Sequence, residues 1–343
     1  MAIRRNEGEK MKKNILVLGA GAWGTAIANL LAENIKEDVL IWGYEKKVVD
    51  EINNLSTNNI FLPKIKLNRN LIATNSYIGK KANIIFIVVP SQYVSNIIKE
   101  YLSVLSPKEI SRLSLVICSK GFDLKRRKLL SQVLEIYCQL SKIAILSGPS
   151  FAKLVANKKP TAITIASNNK YLAKKISVLL HNNYFRVYIN NDIISVQING
   201  ALKNVLAIAA GLTEGLGYGE NARAAIISRG LVEIEKISIA LGGKKGSVLG
   251  LSGIGDIILT CTSTSSRNFS FGKEVGRGKS INDILKNRNT VTEGIENTEA
   301  IYLIKKKYNL DTPIIDAVYN VIVKKRSIKT TVNDLLSRPI KNE

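Results

Sequence analysis

One histidine, His181, is present in 343 residues. That scarcity rules out a multi-histidine metal site and argues against a histidine general acid or a Ser-His-Asp triad. His181 stands at the end of an apolar helix-like run and reads as structural. Proton transfer in this chain falls to Lys, Asp, Glu, Tyr or Cys. The three cysteines, Cys118, Cys138 and Cys261, are far apart, with no C-x-x-C pair and no zinc spacing. No disulfide framework or zinc site follows from them; reduced thiols and no metal are expected. Acidic residues are also scarce, 27 against 50 Lys and Arg, for a formal net charge of +23. Such a balance suits polyanions, anionic lipid or small anionic substrates. The lysines, however, are scattered singly and in pairs, and Lys, Asn and Ile are all abundant. A general compositional bias explains this better than a nucleic-acid stripe, so no nucleic-acid partner is expected. No integral membrane segment is read either. Lys12-Lys13 before an apolar stretch has the form of a signal peptide, but the interior of that stretch is rich in glycine. Residues 1–13 read as a loose basic leader, with an alternative start at Met11, and the expected location is the cytoplasm.

What is present begins at Gly19-Ala-Gly21-Ala22-Trp23-Gly24. The apolar run Asn14–Leu18 before it reads as a buried strand, and Thr25–Ala32 after it as a helix. Strand, G-x-G-x-x-G and helix together signify dinucleotide binding. The first glycine allows the turn, the second lets backbone approach a pyrophosphate, and the third lets helix pack on strand. The helix start then turns free N–H groups towards the phosphates.

Further apolar runs at Val39–Trp42, Asn83–Val89, Ser114–Cys118, Lys142–Leu146, Thr161–Ile165 and Phe185–Ile189 alternate with helical patterns such as Gln92–Leu105. Continuous apolar strands between helices predict a parallel sheet covered on both faces. From about Asn190 long helical patterns take over, at Ser195–Ala210, Asn221–Leu241, Glu293–Tyr308 and Ile314–Val323. Glycine clusters at 211–219, 242–255 and 272–278 read as breaks between them. The expected fold is α/β: a Rossmann-like doubly wound sheet over 14–190, then an all-α substrate and catalytic domain over 191–343. The cleft between them, beyond the carboxyl ends of the strands, is the expected site.

Lys120 and Gly121 follow a strand end, where an ammonium meets a bound anion. Lys203 and Asn204 interrupt an otherwise apolar, small-residue helix. Burying an ammonium costs several kcal/mol unless it is paired or neutralised, and burial or a neighbouring cation favours the neutral form that suits acid–base work. Asp256, among glycines and apolar residues, is a natural partner for such an ammonium, or else a helix cap. Arg267, in Ser266-Arg267-Asn268, offers a bidentate fork at a helix start. Val291-Thr-Glu293-Gly294 opens a further helix.

In order along the chain these motifs resemble the bacterial-type NAD(P)-dependent glycerol-3-phosphate dehydrogenase family from about Lys13 to Arg338. The matching runs are Gly19–Thr25, Trp42-Gly43, Val89-Pro-Ser91, Ser119-Lys120-Gly121 and Ser147-Gly148-Pro-Ser150-Phe-Ala152-Lys153. Gly200–Val205, Gly253–Asp256, Leu259–Thr262, Ser266–Asn268 and Glu293-Gly294 continue the series. The resemblance implies reversible hydride transfer between NAD or NADP and the C2 carbon joining dihydroxyacetone phosphate to sn-glycerol 3-phosphate, feeding phospholipid synthesis, by a homodimer. It implies Lys203 as proton carrier at the C2 oxygen, Asp256 holding its ammonium, and Lys120 touching substrate and the nicotinamide region. Gly148, Ser150, Asn204, Ser266, Arg267 and Asn268 would line the substrate. Gly19, Gly21, Ala22, Trp23, Gly24, Tyr44, Ala152, Arg267, Val291 and Glu293 would line the cofactor. Two positions depart from the family pattern. Leu154 replaces a glutamate. Tyr44, at the end of the second strand, is neither the acid that favours NAD nor the arginine that favours NADP; Glu45 comes one residue late and Lys46-Lys47 follow, so preference stays open. A β-hydroxyacid or sugar-acid dehydrogenase of the same two-domain plan is the alternative, against which stand Ser266–Asn268 and the two lysines. A dinucleotide-sensing or nucleic-acid-binding protein would leave the lysine–aspartate–arginine set idle.

Overall fold

The computed structural model describes residues 14–286 and 293–340. The leader over 1–13 and Val291 lie outside the described residues. The strands are β1 (Ile15–Leu18), β2 (Val39–Trp42), β3 (Leu71–Thr74), β4 (Ile84–Ile87) and β5 (Ser114–Ile117). A two-residue hairpin, β6 (Phe122–Asp123) with β7 (Lys128–Leu129), follows, then β8 (Ile143–Ser147), β9 (Thr161–Ala166) and β10 (Phe185–Asn190). Eight of them form one sheet in the order β10-β9-β8-β5-β4-β1-β2-β3. β1, β4, β5 and β8 are buried at every residue, because helices cover both faces. That burial is why they read as continuous apolar runs.

The sheet departs from the expected parallel pairing in one place. β9 runs antiparallel to β8, pairing Ser147 with Thr164, and β10 pairs parallel to β9. The connection from β8 to β9 contains only the short helix Ala152–Ala156. A parallel return needs a full crossover, so the chain turns back beside β8 instead.

β10 ends at Asn190, and the helix Ile193–Gly215 begins at once. Nearly all of its residues are buried. It is flanked by the helices Gly219–Ala240, Asp256–Thr262, Arg267–Gly276, Glu293–Lys307 and Pro313–Ile322. By length and composition it could cross a membrane, but 89% of its apolar window is buried inside the fold. That is the signature of a core helix.

Two of the expected glycine breaks fall later than read, after Gly215 and after Gly276, where Gly217, Gly219 and Gly278 take positive φ. Gly211 and Gly215 lie inside the helix Ile193–Gly215, and Gly272 and Gly276 inside Arg267–Gly276. A methyl on Gly211 would overlap the Phe269 carbonyl, and one on Gly272 the Ile208 carbonyl. The two helices cross backbone against backbone, and only glycine admits that approach. The third cluster does bend the chain, through a π-helical turn over Leu251–Gly255 that delivers Asp256 to the start of its helix.

Candidate active site

The chain leaves β1 towards β2 and β3 on one side and returns at β4 on the other. That switch point is where an open α/β sheet leaves a crevice. Gly19 turns there with φ of +115°, and a Cβ on it would lie 3.1 Å from the backbone of Val88 and Val89. A methyl on Gly24 would overlap the Gly19 carbonyl oxygen. A Cβ on Gly21 would meet nothing within 4 Å. The three glycines therefore do different work: Gly19 is forced by the backbone that follows β4, Gly24 by packing within the loop, and the middle one keeps space open in front of the helix Ala22–Ile35. That helix has no side-chain cap and no acid in its first turn. Its leading N–H groups and dipole are left to an anion. Asn58 pins the loop by donating to the Ala20 carbonyl at 2.9 Å and to the Thr25 hydroxyl at 2.9 Å. This cradle fits the pyrophosphate of a dinucleotide. Ala22 and Trp23 stand half-buried at its edge. At the end of β2, Asn75 holds the Gly43 carbonyl at 3.0 Å, and the Tyr44 side chain is 83% exposed.

Beyond β5, Lys120 turns inward. Its Nζ donates to Ser147 Oγ at 2.6 Å and to the Leu146 carbonyl at 3.1 Å, both at the end of the neighbouring strand β8. Its stem crosses Gly200, where a Cβ would come within 3.0 Å of Lys120 Cδ. Burial, helped by the Lys203 cation and opposed by Asp256, pulls the Lys120 ammonium down to about 8. Gly121 keeps φ of +149° and sits against Ser91 and Asn297.

One turn along the central helix from Gly200, Lys203 Nζ lies 2.6 Å from Asp256 Oδ1. The aspartate side chain is 1% exposed and its second oxygen, Oδ2, has no partner. Thr260 Oγ1 is 3.3 Å from Oδ1. Asn204 donates to Glu293 Oε2 at 3.2 Å. Burial pushes the Glu293 carboxyl up, while Arg267, Lys203 and Lys120 pull the other way. Asn268 accepts the Gly294 N–H at 3.0 Å. Ser266 caps the helix Arg267–Gly276 by accepting from Phe269 N at 3.2 Å, and Arg267 is exposed on its first turn. Gly148 holds φ of +146° against Ile163, and Ser150 Oγ donates to the Gly148 carbonyl at 3.0 Å. Ala152, half-exposed, opens the next helix, and Leu154 points outward at 46% exposure.

The fold thus gathers Lys120, Lys203, Asn204, Asp256, Glu293 and Arg267 into one electrostatically linked group. Burial pushes Cys118 up to about 12 and pushes Cys261 up as well, so both thiols keep their protons near neutrality and neither serves as an acid or base there. All three cysteines are free. His181 closes the helix Lys170–Leu180 by donating its N–H to Ser177. No group of three or more His, Cys, Asp or Glu that could hold a metal ion occurs among the described residues.

The sequence matches the N-terminal part of NAD-dependent glycerol-3-phosphate dehydrogenase over residues 14–173 and the C-terminal part over residues 192–333. The chain belongs to this family. A relative from Citrifermentans bemidjiense named glycerol-3-phosphate dehydrogenase, NAD(P)+, is 40% identical, over 97% of this chain and 99% of its own. One of the same name from Staphylococcus aureus is 40% identical over 96% and 99%. The crystal structure of glycerol-3-phosphate dehydrogenase from Coxiella burnetii superposes with a TM-score of 0.90 at 35% identity, covering 95% of this chain and 99% of that one. A D-mandelate dehydrogenase shares the fold at a TM-score of 0.61 and 15% identity, covering 93% and 99%.

Several residues of the site escape a reading of the sequence. Ser147, the partner of Lys120, becomes visible only once β5 and β8 are known to be neighbours. Asn58 lies outside every motif, and nothing in the sequence signals its place under the Gly19–Gly24 loop. Gly21→Ala is expected to leave the melting temperature unchanged, since the methyl meets open space at φ of −66°. Dinucleotide affinity should fall by about tenfold as backbone and pyrophosphate are held apart. Fluorescence titration with NADH and NADPH measures it, and undiminished affinity for both would contradict the cradle.

Proposed function

We propose that this chain is a dehydrogenase that interconverts dihydroxyacetone phosphate and sn-glycerol 3-phosphate with NAD or NADP, supplying the glycerol phosphate backbone of phospholipids. The observation that carries the reading is the Lys203–Asp256 pair at 2.6 Å, electrostatically linked to Lys120. The nicotinamide, when bound, exchanges hydride with C2. Lys203 gives its proton to the C2 oxygen in reduction and takes it back in oxidation. Asp256 holds the ammonium in place and compensates its charge. Lys120 lies beside the developing alkoxide, where fixed positive charge lowers the barrier. Arg267, with the N-terminus of its helix and the Nδ2 of Asn268, clamps the substrate phosphate. Ser266 shapes that helix start, Gly148 and Ser150 wall the opposite side, and Asn204 orients Glu293 towards the cofactor. Ala22, Trp23, Tyr44, Ala152 and Val291 complete the cofactor contacts. We further propose a cytoplasmic homodimer.

The two lysines give separate tests. Lys203→Ala should keep the fold, at a lower melting temperature because Asp256 loses its partner, and keep dinucleotide affinity while turnover falls by about a thousandfold; undiminished turnover removes Lys203 from the mechanism. Lys120 is an ammonium below about pH 8 and loses its charge above it. Accordingly kcat/KM for the phosphorylated substrate should decline as pH rises through that value, and Lys120→Gln should abolish that limb. A limb that persists in the variant assigns it to another group.

A further inference from the structure

The carboxylate of Asp192 lies at the junction of the sheet and the central helix, 5% exposed. Its Oδ1 caps the helix by accepting Ser195 N at 3.0 Å. Its Oδ2 does something else: it accepts Lys244 N at 2.9 Å and the Ser247 hydroxyl at 2.6 Å. Burial pushes this carboxyl up, and the donors more than offset it, so it is held below its usual range. The loop it grips is the one that leads to Asp256. Gly243 packs against Ser195 and Ser238, whose hydroxyls meet at 2.6 Å. Asn199, two turns along the helix, is fully buried and reaches the Ser247 carbonyl and the Ser252 hydroxyl, each at 3.4 Å. Gly253 stacks on the Val248 carbonyl so closely that a methyl would overlap it. From Ser247 to Asp256 there is no slack: one side of the loop is fixed by Asp192, the middle by Asn199, and the end by Lys203.

We infer that Asp192 is a positioning residue for the reaction, stapling the Lys244–Gly255 loop to the helix that carries Lys203 so that Asp256 meets that lysine in register. The inference rests on the roles proposed for Lys203 and Asp256. The two bonds from Oδ2 act on a segment that must place one oxygen beside one ammonium. Errors of an ångström in such a placement are costly to turnover.

Asparagine at position 192 separates the two jobs of the side chain. Its Oδ1 still caps the helix as well as aspartate does. Its Nδ2 now faces the Lys244 N–H, donor against donor, and the staple opens. Asp192→Asn should lower kcat by about tenfold to a hundredfold, with unchanged affinity for NADH or NADPH and little change in KM. Ser247→Ala removes a single bond from the staple without touching the cap, and should cost about fivefold in kcat. It also serves if the asparagine variant folds poorly. In an Asp256→Asn background, Asp192→Asn should cost nothing further, because there is no longer a carboxylate to place. Equal kcat in folded Asp192→Asn, Ser247→Ala and wild-type proteins would overturn the inference. So would fully additive losses in the double variant, which a general loss of stability would give. The parent reading fails separately, if Lys203→Ala retains turnover.

Discussion

An ammonium inside a helix buried on all sides is the constraint around which the second half of this chain is arranged. Lys203 cannot be held there without an opposite charge at contact distance, since an unpaired buried charge costs several kcal/mol. Asp256 supplies it at 2.6 Å, and it arrives on a separate segment through a π-helical turn. Replacing buried ion pairs with apolar residues of similar volume is often neutral or stabilising. The pair is therefore poorly explained as a stability device, and its unpartnered Oδ2 fits a site that receives a polar substrate.

The charges around the pair determine what the site can take. Lys120, Lys203 and Arg267 share the site with the carboxyl groups of Asp256 and Glu293, and burial pushes the Glu293 carboxyl towards its neutral form, so positive charge is in excess before substrate enters. A phosphorylated ketone brings negative charge at one end and develops it at C2. In the proposed mechanism the two lysines serve the second need and the exposed Arg267 the first. Burial works against Lys120 holding its proton, so positive charge in the site diminishes in alkali. Close helix packing makes this geometry rigid. Gly211 and Gly272 let the Arg267 helix lie directly against the helix of Lys203, which sets the spacing between these two side chains.

What could be read beforehand, and what could not, divides along physical lines. β1 and β4 are legible because strands buried on both faces are apolar throughout. The glycine fingerprint is legible because its demands are local: a turn, an open space and a close packing. Lys203 stands out because a charge in an apolar helix is a local anomaly. The direction of β9 is not encoded in its apolar pattern, which is the same for either pairing; it follows from the short connection at Ala152–Ala156. Gly211 and Gly272 read as breaks because glycine weakens isolated helices, whereas here tertiary contact between two backbones overrides that preference. Pairings such as Asn268 with Gly294, Asn204 with Glu293 and Lys120 with Ser147 depend on which elements end up side by side. No spacing along one segment reveals them.

The most direct test is a spectrophotometric one, at the absorbance band of the reduced nicotinamide. Protein is mixed with NADH or NADPH and either dihydroxyacetone phosphate or unphosphorylated dihydroxyacetone. Absorbance is expected to fall with the phosphorylated ketone and little with the other, and the two cofactor rates resolve the preference that Tyr44 leaves open. No loss with either cofactor, from folded protein that still binds one of them, would contradict the proposed reaction.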